Sequence, residues 1–270
     1  MERPAWAPHG IDLSVPSVSR MYDYYLGGSH NFEADRAAAR RAIEAFPGLP
    51  KIMQANRAFM RRAVRFAISQ GVTQFLDIGS GIPTFGNVHE TARAASAEAR
   101  VVYVDNDPVA VAHSRAVLAD DARTDILAAD FRDPLSIVGG DPVRRLLDLD
   151  RPVALLLVAL LHFFDDDDKP GEHIAGLRDA LPPGSLLVIS HAATESLPGT
   201  RERGNRLSDV YRSGGATLVM RTRAEVTAFF DGFDLVEPGV VPLPDWRPEA
   251  PVEDEDPIVH AGYAGVGRRA

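Results

Sequence analysis

The sequence contains no cysteine. That excludes disulfides, thiol nucleophiles and thiolate-held metals, and it fits a reducing cytoplasm, the location expected for the chain. Lysine is nearly missing as well, with only Lys51 and Lys169 against 27 arginines, and nothing functional follows from that. Basic stripes are absent, and the 29 basic residues against 38 acidic ones leave a net charge of −9. A nucleic-acid backbone is therefore not an expected partner. No apolar run reaches the roughly 18 residues that a membrane helix needs, and no charged-then-apolar leader is read. The longest apolar run, Val153 to Leu161, suits a buried parallel strand, so no membrane partner is expected.

What is present is ordinary in bulk and specific in detail. With 270 residues, 45% hydrophobic and 25% charged, the chain can bury one sizeable core with an appendage. Its organising stretch is Gln74 to Gly81, Q-F-L-D-I-G-S-G, a short apolar run that carries one acid and breaks into glycines. This reads as a strand feeding a tight turn, the place where ligands sit in open α/β sheets. A dinucleotide site would need a third glycine and free backbone donors for pyrophosphate. Gly79 and Gly81 fit that pattern, but Thr84 holds the third position and Pro83 lacks an N–H. Asp77 would repel a pyrophosphate and attract a cation. S-adenosylmethionine, with an ammonium, a sulfonium and no phosphate, suits Asp77, Gly79 and Gly81.

Along the chain, Pro4, Pro8 and Pro16 mark residues 1–16 as an extended arm. A short helix starts at Ser17 and stops at Gly27 and Gly28, a second opens at Asn31 and runs to about Phe46, and a third covers Ile52 to Ser69. These helices precede the sheet and are expected to cap its ligand edge. Strands follow at Arg100–Asp105, Thr124–Asp130, Val153–Leu161 and Ser185–Ser190, with helices opened by Asn87 and Pro108 and another over Ile174–Ala180. The alternation predicts a doubly wound, Rossmann-like α/β sheet. A polar, Arg-rich segment at 190–222 reads as an insertion on the substrate side. A helix over Arg223–Phe230 and strands near Leu235–Val241 and Tyr263–Val266 close the sheet. The expected division is an N-terminal arm and helical cap, 1–70, and a sheet domain, 71–270.

Acids end three successive strands. Asp105 can accept both hydroxyls of an adenosine ribose, with Asn106 beside it, while Asp107 is placed to cap the helix after Pro108. Asp130 can accept an adenine amino group, with Phe131 packing on the ring.

These stretches, L-D-I-G-S-G, V-V-Y-V-D-N-D-P, A-A-D-F-R-D-P and the closing A-G-Y-A-G-V-G, resemble class I S-adenosylmethionine-dependent methyltransferases. More closely, S-V-S-R-M-Y-D-Y-Y-L-G-G-S-H-N-F-E-A-D at 17–35, N-R-A-F-M-R-R-A-V-R at 56–65 and P-V-A-L-L-L-V-A-L-L-H-F at 152–163 are similar to a bacterial family of such enzymes with no assigned substrate. The resemblance covers nearly the whole chain. It implies a mostly parallel sheet with an antiparallel closing strand, S-adenosylmethionine as cofactor, and methyl transfer to an oxygen or nitrogen atom of a small molecule. A catalytically inactive S-adenosylmethionine sensor is the other function considered.

Within the N-terminal motif, Arg20 and Tyr22 are candidates for the cofactor's methionine end, and Tyr25 and Asn31 for the substrate. Tyr22 and Tyr25 share a helix face, so a lid and plain helix packing are both open. His162 follows the fourth strand, where similar small-molecule O-methyltransferases place a general base; a packing histidine is the alternative. His191, ending the fifth strand, is a substrate-side candidate of the same kind. The run Asp165–Asp168 reads as a solvated helix cap, because four consecutive acids cannot converge on one ion, and no metal site is expected.

Overall fold

A computed structural model describes residues 11–83, 86–195, 197, 199–249 and 256–270. Pro4 and Pro8 of the arm, Thr84 of the glycine loop and residues 250–255 before the closing strand lie outside the described residues. Three helices come first, α1 (Val18–Tyr25), α2 (Glu33–Ala45) and α3 (Leu49–Ser69). The alternating part follows: β1 (Gln74–Ile78), α4 (Val88–Ala95), β2 (Arg100–Asp105), α5 (Pro108–Val117), β3 (Thr124–Ala128), α6 (Pro134–Val138) and α7 (Asp141–Leu146). Then come β4 (Ala154–Val158), α8 (Pro170–Asp179), β5 (Leu186–Ala192), α9 (Thr200–Ser213), α10 (Arg223–Ala228), β6 (Asp234–Leu235), β7 (Val241–Pro242) and β8 (Gly262–Arg268).

The strands form one sheet in the order β3-β2-β1-β4-β5-β8-β6, with β7 also pairing β8. Strands β1 to β5 are parallel, and β8 runs antiparallel beside β5, His191 facing Tyr263. Because side chains alternate along a strand, Phe75, Val101 and Leu156 pack on one face, with α3 and α4. Leu76, Val102 and Leu155 pack on the other, with α7 and α8. All six are essentially inaccessible, as expected for parallel strands covered on both faces. Phe59 and Trp246 extend the first face in an edge-to-face pair, seating α3 against the chain that leads to β8.

Several boundaries differ from the sequence reading. The second helix begins after Phe32, not at Asn31, because Asp35 caps it by accepting from the Phe32 N–H at 2.7 Å. The fourth strand stops at Val158, since Ala159 has φ 56° and Leu161–Phe163 coil into a 3₁₀ turn. Helices α6 and α7 were not read from the sequence because five and six residues are too short to show a helical period. Inside 190–222, α9 buries only Thr200, Gly204, Leu207 and Tyr211, a narrow helical stripe with one aliphatic side chain. The predicted strand over 235–241 is two short strands, β6 and β7, each pairing β8. Nor is the Asp165–Asp168 run a simple solvated cap. Asp165 accepts from the N–H groups of Asp167 and Asp168, Asp166 pairs with Arg221 at 2.8 Å, and Lys169 holds the N-cap position of α8.

Candidate active site

Two cavities meet at the carboxyl ends of the central strands. The first, about 350 Å³, has the size of a small-molecule site. Its floor is the end of β1 and the turn after it, Asp77 to Gly81, with Asp105 ending β2, Asn106 next to it and Phe131 after β3. Helix α1 contributes Tyr22 to the wall and α3 contributes Asn56, Arg57 and Met60. The sharp turn depends on Gly79: at φ 72° a side chain is strained, and an added Cβ would lie 2.5 Å from Leu160.

The amides of this turn face inward. Gly79 and Ser80 donate to the Val104 carbonyl at 2.8 and 3.2 Å, and Gly81 donates to Oδ2 of Asp105 at 2.7 Å. The donors that would hold a pyrophosphate are therefore occupied by β2 and the residue that ends it. The buried acids Asp77 and Asp105 are the chemistry this end of the cavity presents. Burial pushes Asp77 up to about 7, partly opposed by Arg57 and reinforced by Asp105. Burial likewise raises Asp105 to about 6, against the N–H groups of Asp107 and Gly81. Two carboxyls held above their usual range in one cavity are poised to ionise when a cation and hydroxyl donors enter. That pair of acceptors fits the ammonium, sulfonium and ribose hydroxyls of S-adenosylmethionine. Asp107 caps α5, accepting from Val109 and Ala110.

The second cavity lies deeper on the α3 side, and Val18, Tyr22, Asn56, Ala159 and Phe163 line both. A hydrogen-bonded chain crosses the junction. The Ala159 N–H donates to Ser190 Oγ at 2.9 Å, Ser190 donates to Asn56 Oδ1 at 2.5 Å, and Asn56 Nδ2 donates to the Tyr22 hydroxyl at 2.9 Å. His162 and His191 line the second cavity only. Their rings stand edge to face at 5.4 Å. His191 shares Nδ1 with the Ala192 carbonyl at 2.9 Å and Nε2 with Arg221 Nη1 at 3.1 Å. Since Arg221 can only donate, Nε2 accepts and Nδ1 carries the hydrogen. Burial lowers the His191 imidazole to about 3. His162 is also held well below its usual value, first by burial and then by His191 and Arg221, and its Nδ1 is buried without a partner.

Four of the candidate residues lie outside the linings of both cavities. Arg20 does not line the first cavity: its Nη2 donates to the Val15 carbonyl, and its Nε pairs with Asp35 at 3.4 Å and Asp107 at 3.7 Å, tying α1 to α2 and α5. Asp130 is turned aside by Arg132, which clamps both oxygens at 3.0 and 2.8 Å, and by Asn106 at 3.0 Å. Those bonds hold it down at about 2 and leave Asn106 and Arg132, not Asp130, against the cavity. Tyr25 bonds the Tyr211 hydroxyl at 3.1 Å in the core, and Tyr211 reaches the second cavity in its place. Asn31 donates to Asp23 and to the Gly28 carbonyl, bracing the turn between α1 and α2. Asn56, Arg57 and Met60 were missed as wall residues although N-R-A-F-M-R-R stood out in the sequence; nothing local indicates which face of so long a helix meets a ligand.

Strand order, glycine turn and strand-end acids together define a Rossmann-like methyltransferase fold. The family model described as S-adenosyl methyltransferase matches residues 4–270, and the chain belongs to that family. It is thus an S-adenosylmethionine-dependent methyltransferase with S-adenosylmethionine as its cofactor. A presumed methyltransferase from Thermobifida fusca YX is 42% identical, with a TM-score of 0.91 over 98% of this chain and 99% of that one. A DUF574 family protein from Streptomyces avermitilis is 39% identical, with a TM-score of 0.90 over 96% of this chain and 99% of that one. A Burkholderia thailandensis 1,6-didemethyltoxoflavin-N1-methyltransferase shares the fold at 16% identity, with a TM-score of 0.51 over 87% of this chain and 88% of that one. No curated protein matches the sequence. Among the described residues no helix is long and apolar enough to cross a membrane.

Proposed function

We propose that the protein methylates an oxygen or nitrogen nucleophile of a small molecule seated in the second cavity. The observation that carries this reading is the shared junction at Tyr22, Asn56, Ala159 and Phe163, where a molecule in one cavity would face a molecule in the other. S-adenosylmethionine supplies, when bound, an electrophilic methyl on a sulfonium. The chain's own residues supply alignment and exclusion of water. Asp105 and Asn106 would accept from and orient the ribose, Phe131 would pack against adenine, and Asp77 would meet the cationic end. Arg57, which lines the first cavity and whose charge opposes the rise of Asp77, is the residue we assign to the cofactor carboxylate in place of Arg20.

In this reading the helices within 1–70 and the segment 190–222 form the acceptor-side cover over the sheet domain, 71–270. Val18 and Tyr22 come from α1, Met53 and Asn56 from α3, and Leu207 and Tyr211 from α9. His191 is excluded as a proton acceptor because Arg221 occupies its lone pair. We keep His162 as the general base for a hydroxyl acceptor, since its imidazole is neutral and it lines the second cavity. The test is calorimetry with S-adenosylhomocysteine, followed by an acceptor screen that reads S-adenosylhomocysteine release. Failure of S-adenosylhomocysteine to bind would sink the assignment of the first cavity; release with macromolecular acceptors alone would sink that of the second.

A further inference from the structure

Resting on the methyltransferase reading of the two cavities, we infer that the acceptor is an uncharged, largely apolar molecule of about single-ring size, with a lone-pair atom that Tyr22 hydrogen-bonds at the junction.

The walls carry the first part of the argument. Leu49, Ile52, Met53, Leu207, Leu218 and Met220 make an aliphatic and thioether surface, and none of the described residues lining the cavity is charged. An ion seated there would lose its hydration and gain no counter-ion, which costs far more than burying a neutral group. The cation behind the wall is Arg221, and its four Nη hydrogens are already spent. Nη1 serves the Leu161 carbonyl and His191, and Nη2 serves the Phe164 carbonyl and Asp166, which neutralises it. Nor can His191 supply a charge, because both of its nitrogens are engaged in a pattern only the neutral ring can make.

The order of donors at the junction carries the second part. Ser190 gives its hydrogen to Asn56, and Asn56 gives one of its own to the Tyr22 oxygen. The phenolic hydrogen of Tyr22 and the second amide hydrogen of Asn56 are then left without an acceptor among these three groups, and both side chains line the junction. Burial raises the Tyr22 phenol, so it keeps that hydrogen. A donor at this point favours a ligand with a lone pair, and His162, with an unpartnered buried Nδ1, is a further polar group in the cavity lining. The volume carries the third part. About 70 Å³ is several times the roughly 10–15 Å³ that one water needs and about half of the roughly 150 Å³ that takes benzene, so a single ring reaching into the junction with the first cavity is the upper size and a polycyclic body is excluded without rearrangement.

Three phenols separate the cases: para-cresol, which is neutral, para-hydroxybenzoate, an anion, and tyramine, a cation. Each is titrated by calorimetry into the protein saturated with S-adenosylhomocysteine. The expected result is that para-cresol binds at least about tenfold more tightly than either ion, a difference of about 1.4 kcal/mol. Leu218→Trp, which fills the second cavity and lies outside the first, should abolish para-cresol binding and leave S-adenosylhomocysteine affinity within about twofold. The inference is overturned if either ion binds as tightly as para-cresol, if para-cresol binding survives Leu218→Trp, or if no probe binds the saturated protein. Failure of S-adenosylhomocysteine itself to bind falls on the cofactor reading beneath it and is visible before any phenol is added.

Discussion

Gly81 and Asp105 are joined by a 2.7 Å hydrogen bond from the Gly81 N–H to Oδ2 of the acid. The loop after β1 is thereby fastened to the end of β2, and the acid that would receive a ribose is oriented by the glycine turn before any ligand arrives. Oδ1 is held as well, by the Asp107 N–H at 2.8 Å. Both oxygens keep lone pairs for the ligand, so the site is pre-organised without being saturated.

Asp105→Ala should weaken S-adenosylhomocysteine binding by about 1–3 kcal/mol, the scale for leaving polar partners unsatisfied. Asp107→Ala should act on the α5 cap instead, lowering stability by about 0.5–2 kcal/mol with a smaller effect on affinity. Calorimetry and thermal denaturation of both variants separate the roles. A larger affinity loss at Asp107 would show the acids to be misassigned.

NAD should not bind detectably, because the Gly79, Ser80 and Gly81 amides are already donated to Val104 and Asp105. Calorimetry with NAD and with S-adenosylhomocysteine on one preparation checks this. Tighter binding of NAD would contradict the inward-facing loop.

Asp77 should make both stability and cofactor affinity depend on pH. Its folded value of about 7 lies above the ordinary 3.8, so the folded state holds the proton more tightly than the unfolded one. The stability from that proton is fully present below about pH 4 and is lost as pH rises through 7, at about 1.4 kcal/mol per unit of separation. Asp77→Asn should therefore raise the melting temperature of the ligand-free protein at pH 8. Affinity runs the other way, because a cationic ligand favours the carboxylate: S-adenosylmethionine should bind more tightly at pH 8 than at pH 6, and the slope should flatten in Asp77→Asn. A melting temperature lowered by that substitution at pH 8 would contradict the burial argument.

His162→Ala should lower turnover of a hydroxyl acceptor by roughly 10² to 10⁴ while S-adenosylhomocysteine affinity stays nearly unchanged. Since burial holds the imidazole well below 6.5, wild-type turnover should show no imidazole inflection near pH 6.5. Stopped assays across pH on wild type and variant, with calorimetry alongside, give all three readings. A stable variant with unchanged turnover would leave an acceptor that needs no base, such as a neutral amine.

Asn56→Ala should cost about 1–3 kcal/mol of stability, because it strands the Ser190 hydroxyl and removes the donor to Tyr22 in a buried place. Asn56→Asp should be worse in neutral solution, since it places a charged carboxylate at a buried position. Denaturant melts check the order, and equal stabilities for wild type and Asn56→Ala would remove the chain from the account of the junction.

Much of the fold follows from the sequence alone. Apolar runs ending in acids, glycines at the turn and capping residues such as Asn87 and Asp107 act within a few residues of themselves, so their meaning survives without the rest of the chain. The same local chemistry marked Asp77 and Asp105 at strand ends, and both line the first cavity. Tertiary structure alone decided which side chains of the N-terminal motif reach it. Tyr22 does, while Arg20 is drawn to Asp107, 87 positions away, and Tyr25 to Tyr211, 186 positions away. Asp130 shows the same limit at short range, taken by the arginine two residues on. Partners that lie far apart in the chain leave no periodic trace, and a helix of 21 residues such as α3 presents every side to something. His191 is the sharpest case: only the arrival of Arg221, from beyond α9, turned a candidate base into a neutral wall residue with no lone pair to give.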